Sequence, residues 1–475
     1  MKTPTHIDFR TNTQHVPPNI PSAVQRATKR FGVLRNTRVA EVADWEAYRQ
    51  AAHDVRLYAL EHLDEYLAQV EQRVSAAGGQ VHWARDAAEA RALVLEIAAK
   101  NQVKNIVKAK SMATEEIALN HALEDAGLGV VETDLGEYIV QLDGTGPSHI
   151  IGPAMHMTKE DIAELFSKKF GVDAPPDPRR LTDLARARLR EKFLNAEMGI
   201  TGANFIVAET GTVVLLTNEG NGRMSTSLPD VHVVVAGIDK VIADWDALTV
   251  LLKVLARNAT GQKMSVYTTF ITGLRRDPNE AAPREFHLIL LDNGRTRILA
   301  DQVARETLAC VRCGACLNIC PVYNNVGGFA YQWAYSGPIG AILSPQLLGT
   351  QVAGDLPYAS SLCGACADIC PVKIPIPKIL LHLRHRVAEG DNVARPVASS
   401  ALRFGARLGA LALSAPMVYR VGAWFAKIAQ TPFRRAGWLN TLPAPINRWT
   451  RVRPLPAFQS DFRAWWKSRK SGDGR

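Results

Sequence analysis

Two stretches fifty residues apart are near copies of each other: CVRCGACLNICPVY at 310–323 and SSLCGACADICPVKIP at 360–375. Superposed, Cys313, Cys316 and Cys320 fall on Cys363, Cys366 and Cys370, while Cys310 falls on Ser360. All seven cysteines of the 475-residue chain lie in these two stretches. No other feature constrains the fold as tightly, because both copies have to come together around whatever the thiols hold.

The run C-x2-C-x2-C-x3-C-P at 310–321 has the ligand spacing of a bacterial-type two-cluster ferredoxin, in which the fourth cysteine serves the other cluster. Three thiolates two residues apart wrap three corners of a small cube, and the fourth lies on the next turn. The spacing therefore assigns Cys310, Cys313, Cys316 and Cys370 to one iron–sulfur cluster. Cys320, Cys363 and Cys366 go to a second, with Ser360 in the register of its fourth corner. Both read as [4Fe–4S]. The open corner of the second admits the hydroxyl of Ser360 or Ser361, a water or another ligand, or it stays empty and leaves [3Fe–4S]. Zinc also takes four thiolates, but seven cysteines in such runs do not divide into tetrahedra.

The first residues, MKTPTHIDFRTNTQHVPPNIP, lack the apolar core of a signal peptide. The expected location is the cytoplasm, where clustered thiols stay reduced and read as metal ligands rather than disulfides. The charge is uneven. Residues 401–475 carry 14 Lys and Arg against 2 Asp and Glu, leaving 42 and 44 for the first 400 of the chain's 56 and 46. That basic end suits an acidic partner or an anionic membrane surface.

Along the chain, residues 1–44 read as a poorly ordered arm and Trp45 to about Ala76 as one long amphipathic helix. From Gln80 a βαβαβ rhythm (QVHWA, NIVKA and GVVETD as strands) predicts a mostly parallel sheet covered by helices. Further strands are NFIVAE, TVVLLTN, VHVVVAG, MSVYTTFI and FHLILLD. This places an α/β domain at 45–300, a mainly α cluster domain at 301–390 and a Pro-, Trp- and Arg-rich, irregular to helical region at 391–475.

No dinucleotide fingerprint is present: GTGPSHIIG and NEGNGRMS each lack the third glycine. The loop TNEGNGR at 217–223 follows a strand, where open α/β sheets bind ligands, so Asn218, Glu219 and Arg223 are candidate ligand groups; a plain hairpin loop is the competing reading. Glu209 is a second candidate carboxylate, against the commoner role of an exposed turn residue. His149 and His156 are a weaker candidate metal pair. In the tail, RFGARLGALALSAPMVYRVGAWFAKIA is interrupted by Arg407, Pro416 and Arg420, too short a run to span a bilayer. It reads as a packing pair or an interfacial segment, with Trp424, Trp438, Trp449, Trp465 and Trp466 suiting a protein docking surface. No nucleic-acid recognition fold is visible.

Longer strings resemble the lactate-utilisation iron–sulfur protein B family. KAKSMATEEIALN, ETDLGEYIVQL, PSHIIGPAMH, GITGANFIVAETGTVVLLTNEGNGR and ATGQKMSVYTTFITG resemble its LUD domain, and RPLPAFQSDFRAWW its C-terminal region. The serine pair before the second cysteine group belongs to the family pattern too. The resemblance implies an α/β fold similar to CoA-transferase-like and sugar-phosphate-isomerase-like proteins, followed by a ferredoxin-like dicluster domain. It implies an electron-transfer subunit, not an autonomous enzyme, of a system oxidising L-lactate to pyruvate. The implied partners are a second cysteine-rich iron–sulfur subunit and a small LUD-domain subunit, with any membrane contact peripheral, at the inner face. The rival reading makes the LUD domain itself an enzyme of acyl or phosphosugar type, with the clusters as accessories.

Overall fold

The computed structural model describes all residues except 1–2, 276, 278–279, 281, 391–394, 398, 445, 459–464, 467–468 and 470–475. The chain divides into two units, Met1–Val397 and Ala398–Arg475. In the first unit the strands are, in chain order, β1 (Gln80–Ala84), β2 (Asn105–Lys108), β3 (Gly129–Glu132), β4 (Met198–Thr201), β5 (Phe205–Val207), β6 (Thr212–Thr217), β7 (Val231–Gly237), β8 (Val241–Ile242), β9 (Tyr267–Ile271) and β10 (Glu285–Leu291).

Six of these form a wholly parallel sheet in the order β1-β10-β7-β4-β2-β3. Parallel strands covered on both faces read as unbroken apolar runs rather than alternations. VHVVVAG in β7 is buried at all seven positions, and β10 at six of seven. Helices start where a side chain caps them: Asp86, Asp134, Asp177 and Asp244 each accept from first-turn amides. The remaining strands make a second sheet, β8-β5-β6-β9, antiparallel except for the β5–β8 pair.

One core runs from this second sheet into the cysteine region. It joins Phe205, Val214 and Ile242 through Leu248, Leu251 and Leu255 of the helix Trp245–Thr260 to Cys313, Cys316, Leu317 and Tyr331. The cysteine region is mainly helical, with the helix Gly337–Leu347 almost wholly buried and Ile376–Glu389 packed against it. The loops that carry the thiols are thus clamped against the α/β part rather than tethered to it.

Three sequence expectations need correction. The arm is not poorly ordered: Asn19–Ala40 is a helix that buries Ile20, Ala23, Val24 and Thr28. Thr28 Oγ1 donates to Asn324 Oδ1 at 2.8 Å and Arg35 Nε to Asn258 Oδ1 at 2.7 Å, and the Ile7 amide reaches Val352 O at 2.8 Å. The helix expected over 45–76 breaks at His62 into Trp45–Glu61 and Leu63–Ala76. TEEIALNHALEDAG, which by sequence reads as one helix closed by Gly127, also splits, because Ala118 adopts a left-handed conformation between Met112–Glu116 and Leu119–Asp125.

In the second unit, Ser400–Ser414 and Pro416–Ala429 form a helix pair, bent by 107° between Arg403–Ser414 and Pro416–Ala429. Among the described residues no single helix is long and apolar enough to cross a membrane, although this bent pair passes by length and composition. Leu411, Met417, Trp424 and Phe425 of the pair are exposed.

Candidate metal centre

The two cysteine stretches share one backbone. Arg312 and Leu362 both have left-handed φ values, 58° and 56°, and Gly314 and Gly364 follow at 74° and 88°. Each glycine opens a short helix, Ala315–Ile319 or Ala365–Ile369, that carries Cys316 or Cys366. Glycine takes this conformation without the Cβ penalty; the non-glycine residues before it are held there by the loop. The tight turn bends three ligand positions around one point and frees amides to face sulfur. Arg312 N donates to Cys310 Sγ at 3.4 Å, Tyr323 N to Cys320 Sγ at 3.5 Å and Ile374 N to Cys370 Sγ at 3.4 Å. Such bonds stabilise thiolate charge and are one of the levers on cluster potential.

Cys310, Cys313, Cys316 and Cys370 line a common small cavity with Ile339 and Ile374. Cys320, Cys363 and Cys366 are electrostatic neighbours of one another: the Cys320 thiol feels Cys363, and the Cys366 thiol feels both. The fourth cysteine of each stretch thus stands with the other stretch's thiols. All seven are free. Among the described residues no three His, Cys, Asp or Glu side chains stand close enough to hold one single metal ion.

Burial pushes the Cys313 and Cys370 thiols up to about 12 and Cys366 up to about 11. Unmetallated, these groups stay protonated; a bound cation deprotonates a coordinating thiol outright. The donor set therefore fits iron–sulfur clusters. Cys363 differs: it is exposed, and the Ala365 amide and the Ser361 hydroxyl hold its thiol below the usual range. Ser360 Oγ accepts from Leu362 N at 3.1 Å, so its oxygen occupies the position that sulfur has at Cys310.

A buried ionic network braces the first stretch. Arg295 donates to Asp239 Oδ1 at 2.6 Å and to Glu116 Oε2 at 2.8 Å, and Tyr335 Oη donates to the same Glu116 oxygen at 2.7 Å. Arg56 donates to the carbonyls of Leu308, Ala309, Val241 and Asp239. Lys240 Nζ donates to Cys310 O at 3.4 Å; burial, with Arg312 beside it, brings its ammonium down to about 7.

Behind this loop lies a cavity of about 290 Å³. It opens at strand ends, where ligands of open α/β sheets bind: Lys110 follows β2, Asp134 follows β3, Gly202 follows β4, and Gly237 closes β7. Val311, Arg312 and Cys313 line both this cavity and the four-thiol one. Of the candidate loop, Asn218 and Glu219 line the cavity. Arg223 does not; it is exposed and stacks over the Tyr267 ring at 5.3 Å. Glu219 accepts from Leu135 N at 3.0 Å, and burial together with Asp134 pushes its carboxyl up to about 7. Glu209 accepts from Trp245 N at a helix start. His149 bonds Asn318 and His156 bonds Ser148, so both histidines already have partners outside a shared metal. Lys110, Lys240 and Arg312 escaped the sequence reading. The position of Lys110 just beyond a predicted strand was the one signal for any of them.

A family model of the LUD domain matches residues 67–291, and one of the 4Fe-4S dicluster domain matches residues 306–374. Lactate utilization protein B of Shouchella clausii is 44% identical over 450 residues, 94% of each chain. The chain belongs to the lactate utilization protein B family. That of Bacillus licheniformis is 44% identical over 454 residues, 95% of this chain and 94% of its own. A DUF162 family protein from Deinococcus radiodurans is a weak likeness, with a TM-score of 0.27 and 13% identity over 48% of this chain and 98% of its own. As a member of the lactate utilization protein B family, the chain is a lactate-utilisation iron–sulfur protein, built from a LUD domain and a 4Fe-4S dicluster domain.

Proposed function

We propose that this chain is the electron-carrying subunit of a multi-subunit system that oxidises L-lactate to pyruvate. Cys310, Cys313, Cys316 and Cys370 would hold one [4Fe–4S] cluster. Cys320, Cys363 and Cys366 would hold the second, with Ser360 Oγ as its fourth ligand. Each bound cluster would supply one-electron uptake and release, whereas lactate gives up two electrons and two protons to become pyruvate. A partner must therefore split the pair, and the second iron–sulfur subunit and the small LUD-domain subunit are the proposed partners.

The observation that carries this reading is the exposure of Cys363. Cys320 and Cys366 of its own set are buried, as are Cys313, Cys316 and Cys370, and Cys310 is intermediate, so the second set reaches the surface through Cys363. On this reading the second centre would be open at the Cys363 corner, where a partner's centre could approach, and the first would lie deeper. The test is anaerobic purification, iron and sulfide analysis, and electron paramagnetic resonance before and after dithionite reduction. The same protein is then mixed with its partner subunits and L-lactate. About eight irons per chain, as two cubanes require, and cluster reduction that depends on lactate support the reading; a chain whose clusters never take electrons from lactate removes it.

One observation favours the second reading, a LUD-domain enzyme. Glu219 and Lys240 both line the large cavity and both titrate near 7, where acid–base catalysis is effective. Turnover of an acyl or phosphosugar substrate by iron-free protein would establish it.

A further inference from the structure

The large cavity holds a concentration of unanswered donors. Arg312 Nη1 and Nη2, Lys110 Nζ and Thr217 Oγ1 are buried and have no hydrogen-bond partner, and all three residues line this one space. Buried polar groups in native proteins are nearly always satisfied, and an exception points to a water, an ion or a ligand that belongs there.

The Arg312 guanidinium is held over the Tyr335 ring at 4.9 Å. Nη2 lies 3.6 Å from Asp239 Oδ2, and neither terminal nitrogen has a hydrogen-bond partner. Lys110 Nζ lies 3.5 Å from Glu137 Oε1. Burial pushes that carboxyl up to about 8, so at neutral pH this neighbour is mostly uncharged. Donors without acceptors, one a guanidinium fork, are the complement of a carboxylate. Leu215, Val235 and Leu255 also line the cavity and suit a short carbon body. A volume of about 290 Å³ is at the low end of ligand pockets, roughly 300–1,000 Å³.

We infer that this cavity binds a small organic acid whose carboxylate and neighbouring oxygen are taken by Arg312, Lys110 and Thr217, one loop-width from Cys313. The carboxylate assignment stands on the cavity lining alone. The choice of 2-hydroxy and 2-oxo acids as its members rests on the electron-transfer reading above. Because Val311, Arg312 and Cys313 form the wall between the two cavities, an occupant changes hydrogen bonding to Arg312 and so perturbs the first thiol set.

The test uses the full-length, cluster-loaded protein under anaerobic conditions. Binding of L-lactate, pyruvate, acetate and inorganic phosphate is measured by calorimetry, and the reduced resonance spectrum is recorded with each. Saturable binding of lactate or pyruvate, with a shifted cluster signal, is the expected result. Arg312→Gln should weaken it at least tenfold. Lys110→Met, just beyond β2 and outside both cysteine stretches, should weaken it severalfold while leaving iron content unchanged; this variant keeps the test decisive if Arg312→Gln loads poorly. No saturable binding of either acid overturns the inference. So does binding of phosphate alone, or binding indifferent to both substitutions; ordered water would then be what satisfies the donors. The two readings fail separately, since a protein that accepts electrons but binds no acid loses only this inference, and one that binds acid but has redox-silent clusters loses only the proposed function.

Discussion

Ser360 Oγ accepts the Leu362 amide at 3.1 Å, just as Cys310 Sγ accepts the Arg312 amide at 3.4 Å. With matching left-handed residues at 312 and 362, serine sits in a cysteine's place on a cysteine's backbone. Serine for cysteine therefore changes the side-chain atom at this corner and leaves the backbone of the loop unchanged.

Ser360→Cys should accordingly be accepted by the loop and complete an all-cysteine second site. Where wild type gives a three-iron signal on mild oxidation, the variant should retain its fourth iron, with a changed reduction potential for that centre only. Identical iron loss in the two proteins would show that the 360 side chain is not the fourth ligand.

Asn258 links elements distant in sequence. Its Nδ2 donates to Ile369 O at 2.9 Å and lies 3.9 Å from Cys313 Sγ, and its Oδ1 accepts from Arg35. Asn258→Ala strands a buried carbonyl and a guanidinium, a loss of about 1–3 kcal/mol. It also removes an N–H···S bond and should lower the potential of the first centre. A thermal scan and a redox titration of the same sample check both parts.

The legibility of this molecule in its sequence follows the range of the interactions. The spacing of Cys310 to Cys320 is local, so the turn that carries them, repeated at Ser360 to Cys370, could be read as a unit. Strands such as β7 and β10 announce themselves because both faces are covered. The helix Asn19–Ala40 does not: it buries only four side chains, and its docking depends on Asn258 and Asn324, hundreds of residues away. The large cavity was half legible. Asn218 and Glu219 follow a strand, but Arg312 meets them only because the cysteine loop lines the same cavity, and Lys240 comes from the turn after β7.

Glu219 makes a pH prediction with a definite sign. Its carboxyl is raised from 4.5 to about 7, so the folded chain keeps a proton that the unfolded chain has already lost. The stability it contributes is full below about pH 4.5 and is lost as the pH rises through 7. Glu219→Gln keeps an acceptor for the Leu135 amide and removes the charge. Its apparent Tm, relative to wild type, should therefore rise between pH 5 and pH 8, by an amount that solvent screening keeps small because Glu219 is an exposed residue. A gap that is constant with pH would contradict the raised carboxyl.

Arg56 should be the costliest single loss outside the ligands. It is 1% exposed, burial brings its guanidinium down to about 10, and it donates to four carbonyls, two of them in Leu308 and Ala309 just ahead of Cys310. Arg56→Met fits the apolar stem but leaves the four buried carbonyls without their donor, a loss of about 1–3 kcal/mol for each one that stays unpaired. The strain falls on the segment that positions Cys310, so the first cluster should load incompletely while the α/β sheet still forms. Iron analysis beside far-ultraviolet circular dichroism separates these effects. Full iron occupancy with an unchanged Tm would mean that the loop is positioned by its own turn geometry, with Arg56 merely filling space.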